Sequence, residues 1–206
     1  MKDHLGTRDI YNRATKTFEP SDIYRGLDEK NLTDYETLWK PLLRARRAEF
    51  SSAASAAAAN TQDAHWNWVE KAVAAERSMA YETFAIEAAG TTQGLMLVNL
   101  TKQARLEPQR GLEIVYVELV ASAPWNRHGF VDNPKYKGIG RHLVATAVTL
   151  SVELGFKGRV GLHSLPQSES WYRDEAKFAT GGYDECKSMH YFELTEELAH
   201  AFLGEN

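Results

Sequence analysis

Lys135-Tyr136-Lys137-Gly138-Ile139-Gly140-Arg141-His142-Leu143 places two glycines, one residue apart, between a basic segment and the apolar periodicity of a helix. Glycine has no Cβ, so the backbone can turn sharply there and lie close to a ligand. The N–H groups of a helix's first turn have no intrahelical partner, and the helix dipole makes that end attractive to anions. With Lys135, Lys137 and Arg141 around the same point, the stretch reads as a seat for a phosphate or diphosphate. It is not a Walker loop, which needs four residues between its glycines and a Lys-Ser/Thr after the second. Nor is it a dinucleotide fingerprint, because no third glycine follows at the required place and no acidic residue closes a ribose site.

The flanks give the loop its context. Upstream, Gly111 to Ala123 reads as a strand in which Val115, Val117, Leu119 and Ala121 form an aliphatic face. Ile114, Tyr116, Glu118 and Val120 form its mixed face, and Pro124 should end regular pairing. Downstream, Ile139, Leu143, Val144, Ala147, Val148, Val152 and Leu154 recur with helical spacing, and Gly155 is a plausible C-terminal cap. Arg159 to Leu165 supplies a second strand, with Val160 and Leu162 on one face and His163 on the other. Strand, glycine loop, helix and strand in this order form a βαβ unit.

With these residues in place, the chain from about Tyr81 to Leu194 resembles the GNAT superfamily of acyl-CoA N-acyltransferases. That family's loop reads Gln/Arg-x-x-Gly-x-Gly/Ala, and Lys135 to Gly140 matches it with lysine in the first place. Val120-Ala121-Ser122-Ala123-Pro124 corresponds to the end of the family's central strand, and His163 to Tyr172 to the later strand that leads into a tyrosine-bearing helix. Two departures stand out. Arg127 to Pro134 is an extra segment before the loop, and the family's asparagine ahead of the tyrosine has no counterpart in Leu165 to Ser168.

The resemblance implies an α/β fold: a mixed central sheet flanked by helices, with residues 1–32 as an N-terminal extension and 33–206 as the acyltransferase domain. It implies acetyl-CoA as cosubstrate and a primary amine as acceptor, joined by direct attack in a ternary complex without a metal. Lys135, Tyr136, Lys137, Gly138, Ile139, Gly140 and Arg141 would hold the diphosphate, and backbone N–H groups of Val120, Ala121 and Ser122 would face the thioester and pantetheine arm. Tyr172 matches the tyrosine that protonates the departing thiolate; its bland alternative is a core aromatic beside Trp171.

An attacking amine must be neutral, so such a site needs a base. Glu118, near the end of the central strand on its mixed face, is the first candidate, against the bland reading of a strand glutamate paired with a cation. His163 is the second, because imidazole titrates in the useful range, against that of a hydrogen-bonded structural histidine. Trp125, Asn126 and Arg127 are candidates for the border of an acceptor pocket or for packing. A noncatalytic CoA-binding or protein-interaction module, and a toxin that acetylates aminoacyl-tRNA, are the alternatives from other classes.

A chain of 206 residues can bury a substantial core. Its single cysteine, Cys186, excludes an internal disulfide framework and a cysteine-built zinc site. A formal charge of −4 gives no global attraction to nucleic acid, which is therefore not an expected partner. No long apolar run or hydrophobic leader is visible, so membrane association is not expected and a cytoplasmic location agrees with the composition. Homodimer formation stays open.

Elsewhere, Thr33 to Glu36 has capping-box spacing, with Tyr35, Leu38, Leu42 and Leu43 as the stripe of a helix that Pro41 would restrict or kink. The alanine-rich Ser51 to Ala59 favours helix, and Asn60 or Thr61 could cap a further helix through Arg77 with Trp66, Val69 and Val73 on one side. Ala80 to Ala88 and Gly94 to Thr101 read as a hairpin. Lys187 to Leu194 reads as a strand, and Glu196 to Leu203 as a closing helix.

Overall fold

A computed structural model describes residues 2–49 and 60–204; the alanine-rich Ser51 to Ala59 lies outside the described residues. Apolar alternation in the middle of the chain produces strands β3 (Tyr81–Ala88), β4 (Thr91–Gln103) and β5 (Glu113–Ser122). Ala89 and Gly90, both at positive φ, make the tight turn between β3 and β4. With β1 (Asp3–Asn12), β2 (Thr17–Arg25), β6 (Tyr136–Lys137), β7 (Val160–Ser164), β8 (Ala179–Asp184) and β9 (Met189–Leu194), they form one nine-stranded sheet in the order β6-β1-β2-β3-β4-β5-β7-β9-β8. β5 and β7 are parallel, whereas β1–β2, β2–β3, β7–β9 and β8–β9 are antiparallel, so the sheet is mixed. The expected α/β architecture is therefore observed.

By internal contacts the chain divides into Met1–Leu97 with Val120–Leu143, and Val98–Leu119 with Val144–Asn206. In the first unit, the N-terminal segment forms the β1–β2 hairpin, with Asp22 to Arg25 pairing onto β3. Backbone pairing, rather than an apolar pattern, orders this segment: most of β1 is exposed, with Ile10 and Asn12 the buried positions.

The first helical stretch starts earlier than the Thr33 box predicts. Asp28 caps it, accepting from the Asn31 amide at 3.0 Å while Asn31 Oδ1 accepts from the Asp28 amide at 3.2 Å. Its helix Glu29–Asp34 passes through a π turn at Tyr35–Trp39 into the helix Lys40–Ala48. Pro41 lacks an N–H and its ring crowds the carbonyl one turn back, which widens the helix there. The wider turn moves the apolar stripe to Tyr35, Trp39 and Leu43, all buried, and leaves Leu38 39% and Leu42 45% exposed. The next helix is Trp68–Glu76, capped by Asn67 rather than by Asn60 or Thr61. It buries Trp68, Ala72 and Ala75 and turns Val73 outward.

The helix Ile139–Glu153 begins in this unit and seats Ile139 and Leu143 on β4. A Cβ on Gly94 would come within 2.6 Å of Ile139 and 3.0 Å of Leu143, so Gly94 permits that close approach. Ile139, Leu143, Val144, Ala147 and Val148 are buried as the periodicity predicts, while Val152 and Leu154 are exposed on the last turn.

In the second unit, β5 pairs with β7 through Val115↔Val160, Tyr116↔Gly161 and Val117↔Leu162. Tyr172, Phe178, Phe192 and Phe202 form an aromatic core there, beside the closing helix Glu196–Gly204. β8, which the sequence did not announce, is fastened to β9 across a bulge between Thr180 and Gly182. Among the described residues no helix is long and apolar enough to cross a membrane.

Candidate functional site

The glycine loop is held from both sides. On one side β6 joins β1, pairing Asn12↔Tyr136 and Tyr11↔Lys137, and the Arg13 amide donates to Lys135 O at 2.9 Å. On the other, the Lys135 amide donates to Trp125 O at 2.8 Å and the Tyr136 amide to Asn126 Oδ1 at 3.1 Å. Tyr136 is buried, and its hydroxyl donates to Glu19 at 3.0 Å. Tyr136 and Ile139 therefore give their side chains to the core and could meet a ligand only through their backbone.

Gly138 sits at φ +107°, a conformation that side chains disfavour. The next residue starts the helix, whose first intrahelical bond runs from the His142 amide to Gly138 O at 2.9 Å. Ile139 and Gly140 thus open the first turn of the helix, where backbone N–H groups have no intrahelical partner. Gly140 is different from Gly138: it has no positive φ, and beyond its own helix turn and chain neighbours no described atom lies within 4 Å of where its Cβ would be. Neither backbone strain nor packing within the protein requires glycine at this position. Burial, more than the nearby Arg8 and Arg141, lowers the His142 pKa, and the neutral ring donates its Nε2–H to Asp9 O at 3.0 Å.

The end of β5 lies beside this loop in the sequence of elements. Its ladder to β7 stops at Val117↔Leu162, while the strand itself continues to Ser122. Val120, Ala121 and Ser122 therefore follow the end of that ladder. The three residues Trp125, Asn126 and Arg127 are bound into the fold. Trp125 Nε1 and Asn126 Nδ2 both donate to Gln93 Oε1 at 2.9 Å. Arg127 forms a bidentate ion pair with Asp63 at 2.7 and 2.8 Å, both side chains 5% exposed, and donates from Nε to Ser122 O at 2.7 Å. The extra segment that begins at Arg127 is thus anchored by a buried charge pair, and these three residues read as architecture rather than as the rim of a pocket.

An open cleft of about 450 Å³ lies in the same unit beside the first two helical stretches. Leu32 and Val69 supply apolar wall, and Asp28, Glu29, Glu36 and Glu76 bring four carboxylates to it.

In the second unit, Glu118 is half-buried and accepts from Asn99 Nδ2 at 3.0 Å. Two residues earlier on the same face, the Tyr116 hydroxyl lies 2.6 Å from His163 Nδ1. His163 Nε2 lies 3.0 Å from Asp184, which receives a 2.7 Å hydrogen bond from Arg105. Burial, with Glu118 nearby, raises the Tyr116 pKa, so the phenol stays protonated and donates to Nδ1. Arg105, first, and then His163 hold the Asp184 carboxyl down to about 2. The His163 side chain is 2% exposed, and burial outweighs Asp184 in pushing its pKa below the ordinary 6.5. Neutral His163 therefore keeps its proton on Nε2, toward Asp184. Both ring nitrogens are occupied, and a further proton could enter at Nδ1 only by displacing Tyr116.

A pH dependence follows from these directions. Below about pH 6.5 the unfolded chain protonates at residue 163 before the folded one does, so stability falls as pH drops through the lowered folded value. Below about 3.8 the Asp184 carboxylate adds a second loss in the same direction, completed near pH 2. The melting temperature is expected to decline from pH 7 to pH 5 in the wild type and to decline less in His163→Gln. Parallel melting curves across that range for the two proteins would contradict this reading.

Tyr172 is the second residue of the π turn Trp171–Glu175, is 5% exposed, and packs against Trp171, Phe178 and Phe192. Burial raises its pKa, and no hydrogen bond from its hydroxyl is found among the described residues. Among the described residues no group of three or more His, Cys, Asp and Glu side chains is disposed to hold a metal ion. Asn99, Arg105, Tyr116 and Asp184 are partners of the candidate residues that spacing could not reveal, since Arg105 and Asp184 meet across 79 positions.

Comparison with solved structures decides the fold. The PaiA N-acetyltransferase of Thermoplasma acidophilum in complex with coenzyme A superposes with a TM-score of 0.54 at 14% identity, over 84% of this chain and 97% of that one. A GNAT-family acetyltransferase from Listeria monocytogenes 4b gives 0.52 at 12% identity, over 90% and 98%. The chain carries the GNAT fold. No family sequence model matches it, and no curated protein sequence does so. The likeness to these GNAT proteins thus resides in the arrangement of strands and helices, at identities that leave the functional residues to be argued from this chain alone.

Proposed function

We propose that the protein is an N-acetyltransferase that moves an acetyl group from acetyl-CoA to a primary amine by direct attack in a ternary complex. The observation that carries this reading is Gly140, a glycine that neither φ nor packing requires, in the first turn of the helix that follows the basic loop. A close-lying anionic ligand accounts for it, because a Cβ there would project into the space beside the helix's first turn, the end of a helix that attracts anions. The diphosphate of CoA fits this seat: backbone N–H groups from Gly138 to Arg141 would donate to it, with Lys135 and Lys137 adding charge.

Acetyl-CoA would supply the thioester carbonyl. The chain's residues then divide the remaining work. Backbone N–H groups of Val120 to Ser122 donate to the carbonyl oxygen as negative charge builds there. Glu118 takes a proton from the amine, so that a C–N bond can form as the C–S bond breaks. Tyr172 gives its phenolic proton to the sulfur. His163 holds Tyr116 beside Glu118 and keeps that face of β5 ordered.

Acetyl-CoA turnover with a panel of primary amines tests the proposal. CoA release that depends on the amine supports it, whereas CoA binding without turnover on any amine would favour the noncatalytic module. Tyr172→Phe separates chemistry from packing, because it retains the ring against Phe178 and Phe192 and deletes only the donor. Thiolate is a moderately good leaving group, with a pKa of about 8.5, so the expected fall in turnover is about tenfold to a hundredfold. CoA affinity and melting temperature should change little. A large stability loss with normal turnover per folded molecule would instead identify a structural hydroxyl.

A further inference from the structure

The strand that clamps the glycine loop also brings aromatic and basic side chains to one face beside it, with Lys135 Nζ lying 4.8 Å over the Tyr136 ring. Ile10, Asn12 and Tyr136 occupy the inner face of the β2-β1-β6 ribbon and are buried. On the outer face, register places Tyr11 directly between Phe18 on β2 and Lys137 on β6. Tyr11 and Phe18 meet edge to face with ring centroids 5.4 Å apart, and Phe18 is 69% exposed. Just beyond the end of β1, Arg13 faces Lys135 through its backbone hydrogen bond of 2.9 Å. Arg13 donates to His128 at 2.8 Å, while its Nε is buried without a partner. No carboxylate among the described residues pairs with Arg13, Lys135 or Lys137; of the acidic residues on this face of the hairpin, Asp9 lies two positions from Tyr11 and away from Arg13, and Asp22 is engaged by Thr7 and His4 farther along.

We infer that this outer face binds the nucleotide end of CoA: the adenine on the Tyr11–Phe18 pair and the 3′-phosphate at Arg13, assisted by Lys135. The inference rests on the reading of the glycine loop as the diphosphate seat, and extends that seat across β6 onto the N-terminal hairpin. Three features converge on this occupant. The patch is continuous with the loop, since Lys137 precedes Gly138 directly. Its charge is complementary to a phosphate. Exposed aromatic rings offer a purine its face, an interaction that tolerates any base and gains from adjacent cations.

Calorimetric titration of the full chain with CoA and with 3′-dephospho-CoA tests the inference. The wild type should bind CoA about tenfold to a hundredfold more tightly, the range expected for a charge-assisted hydrogen bond to phosphate. Arg13→Gln should erase most of that ratio by weakening CoA alone, and Tyr11→Ala should weaken both ligands but leave 4′-phosphopantetheine unchanged. Thermal melts check that the hairpin survives; the substitution at position 13 retains the backbone bond to Lys135. Equal wild-type affinity for the two ligands would overturn the inference and leave the diphosphate seat standing. A ratio preserved in Arg13→Gln would also overturn it. Failure of the wild type to bind either ligand would remove the parent reading itself, a distinguishable result.

Discussion

Gly140→Asp is expected to abolish measurable acetyl-CoA binding while leaving the protein folded. The position makes no steric demand of its own, because beyond its own helix turn and chain neighbours no described atom lies within 4 Å of an added Cβ, and its φ is not one that side chains avoid. It stands in the first turn of the helix Ile139–Glu153, where a carboxylate interacts favourably with the helix dipole and replaces a residue that costs roughly 1 kcal/mol in a helix. The folded state should therefore keep its melting temperature or gain slightly. Binding suffers for the same electrostatic reason, since the carboxylate occupies the place where the diphosphate must sit and repels it. We expect a loss of at least about a hundredfold, read by calorimetry, with no residual turnover at ordinary substrate concentration. Normal affinity in this variant would move the CoA seat away from the loop. Gly138→Asp is the less informative change: its φ of +107° means that any side chain adds backbone strain, so a loss of binding could not be separated from a loss of structure.

Glu118→Gln is expected to lower turnover by a factor on the order of 100 to 10,000, the usual contribution of a general base. The amide introduced there retains an oxygen able to accept from Asn99 Nδ2, which the carboxylate holds at 3.0 Å, so packing and CoA affinity should be preserved. The substitution removes only the capacity to take a proton. Activity should recover as pH rises toward the pKa of the acceptor amine, where the neutral nucleophile forms without help. If Glu118→Gln turns over normally while His163→Gln does not, the base is reached through Nδ1 after Tyr116 swings away, and the roles exchange. This contrast is sharp because His163 holds Tyr116 and Asp184 with its two ring nitrogens, whereas Glu118 has a carboxylate oxygen to spare beyond Asn99.

Where local periodicity and burial agreed, the sequence could be read. β5 buries Val115, Val117 and Ala121, and the helix from Ile139 buries its stripe from Ile139 to Val148, as their spacing predicts, although Ile114 and Tyr116 on the other face of β5 are buried as well. The β3–β4 hairpin was legible from its two apolar runs around a glycine turn, and most of β4 is buried on both faces. The first helical stretch was not, since Pro41 forces a π turn and the stripe then advances by four residues per turn, exposing Leu38 and selecting Trp39. β8 carries two adjacent glycines, Gly181 and Gly182, and little strand propensity; cross-strand bonds to β9 decide its conformation.

The same division applies to the site. The order of strand, glycine loop, helix and strand, the basic flank of the loop and the presence of Glu118, His163 and Tyr172 belong to the linear chain, because each depends on neighbours within a few residues. Tertiary structure alone decided that β1 would clamp Lys135 to Lys137, that Arg127 would pair with Asp63, and that His163 would be held between Tyr116 and Asp184. These pairings join residues 21 to 126 positions apart, and a partner at such distance leaves no periodic trace. A side chain's chemistry can be written in the sequence, but its protonation and availability depend on whatever the fold places against it.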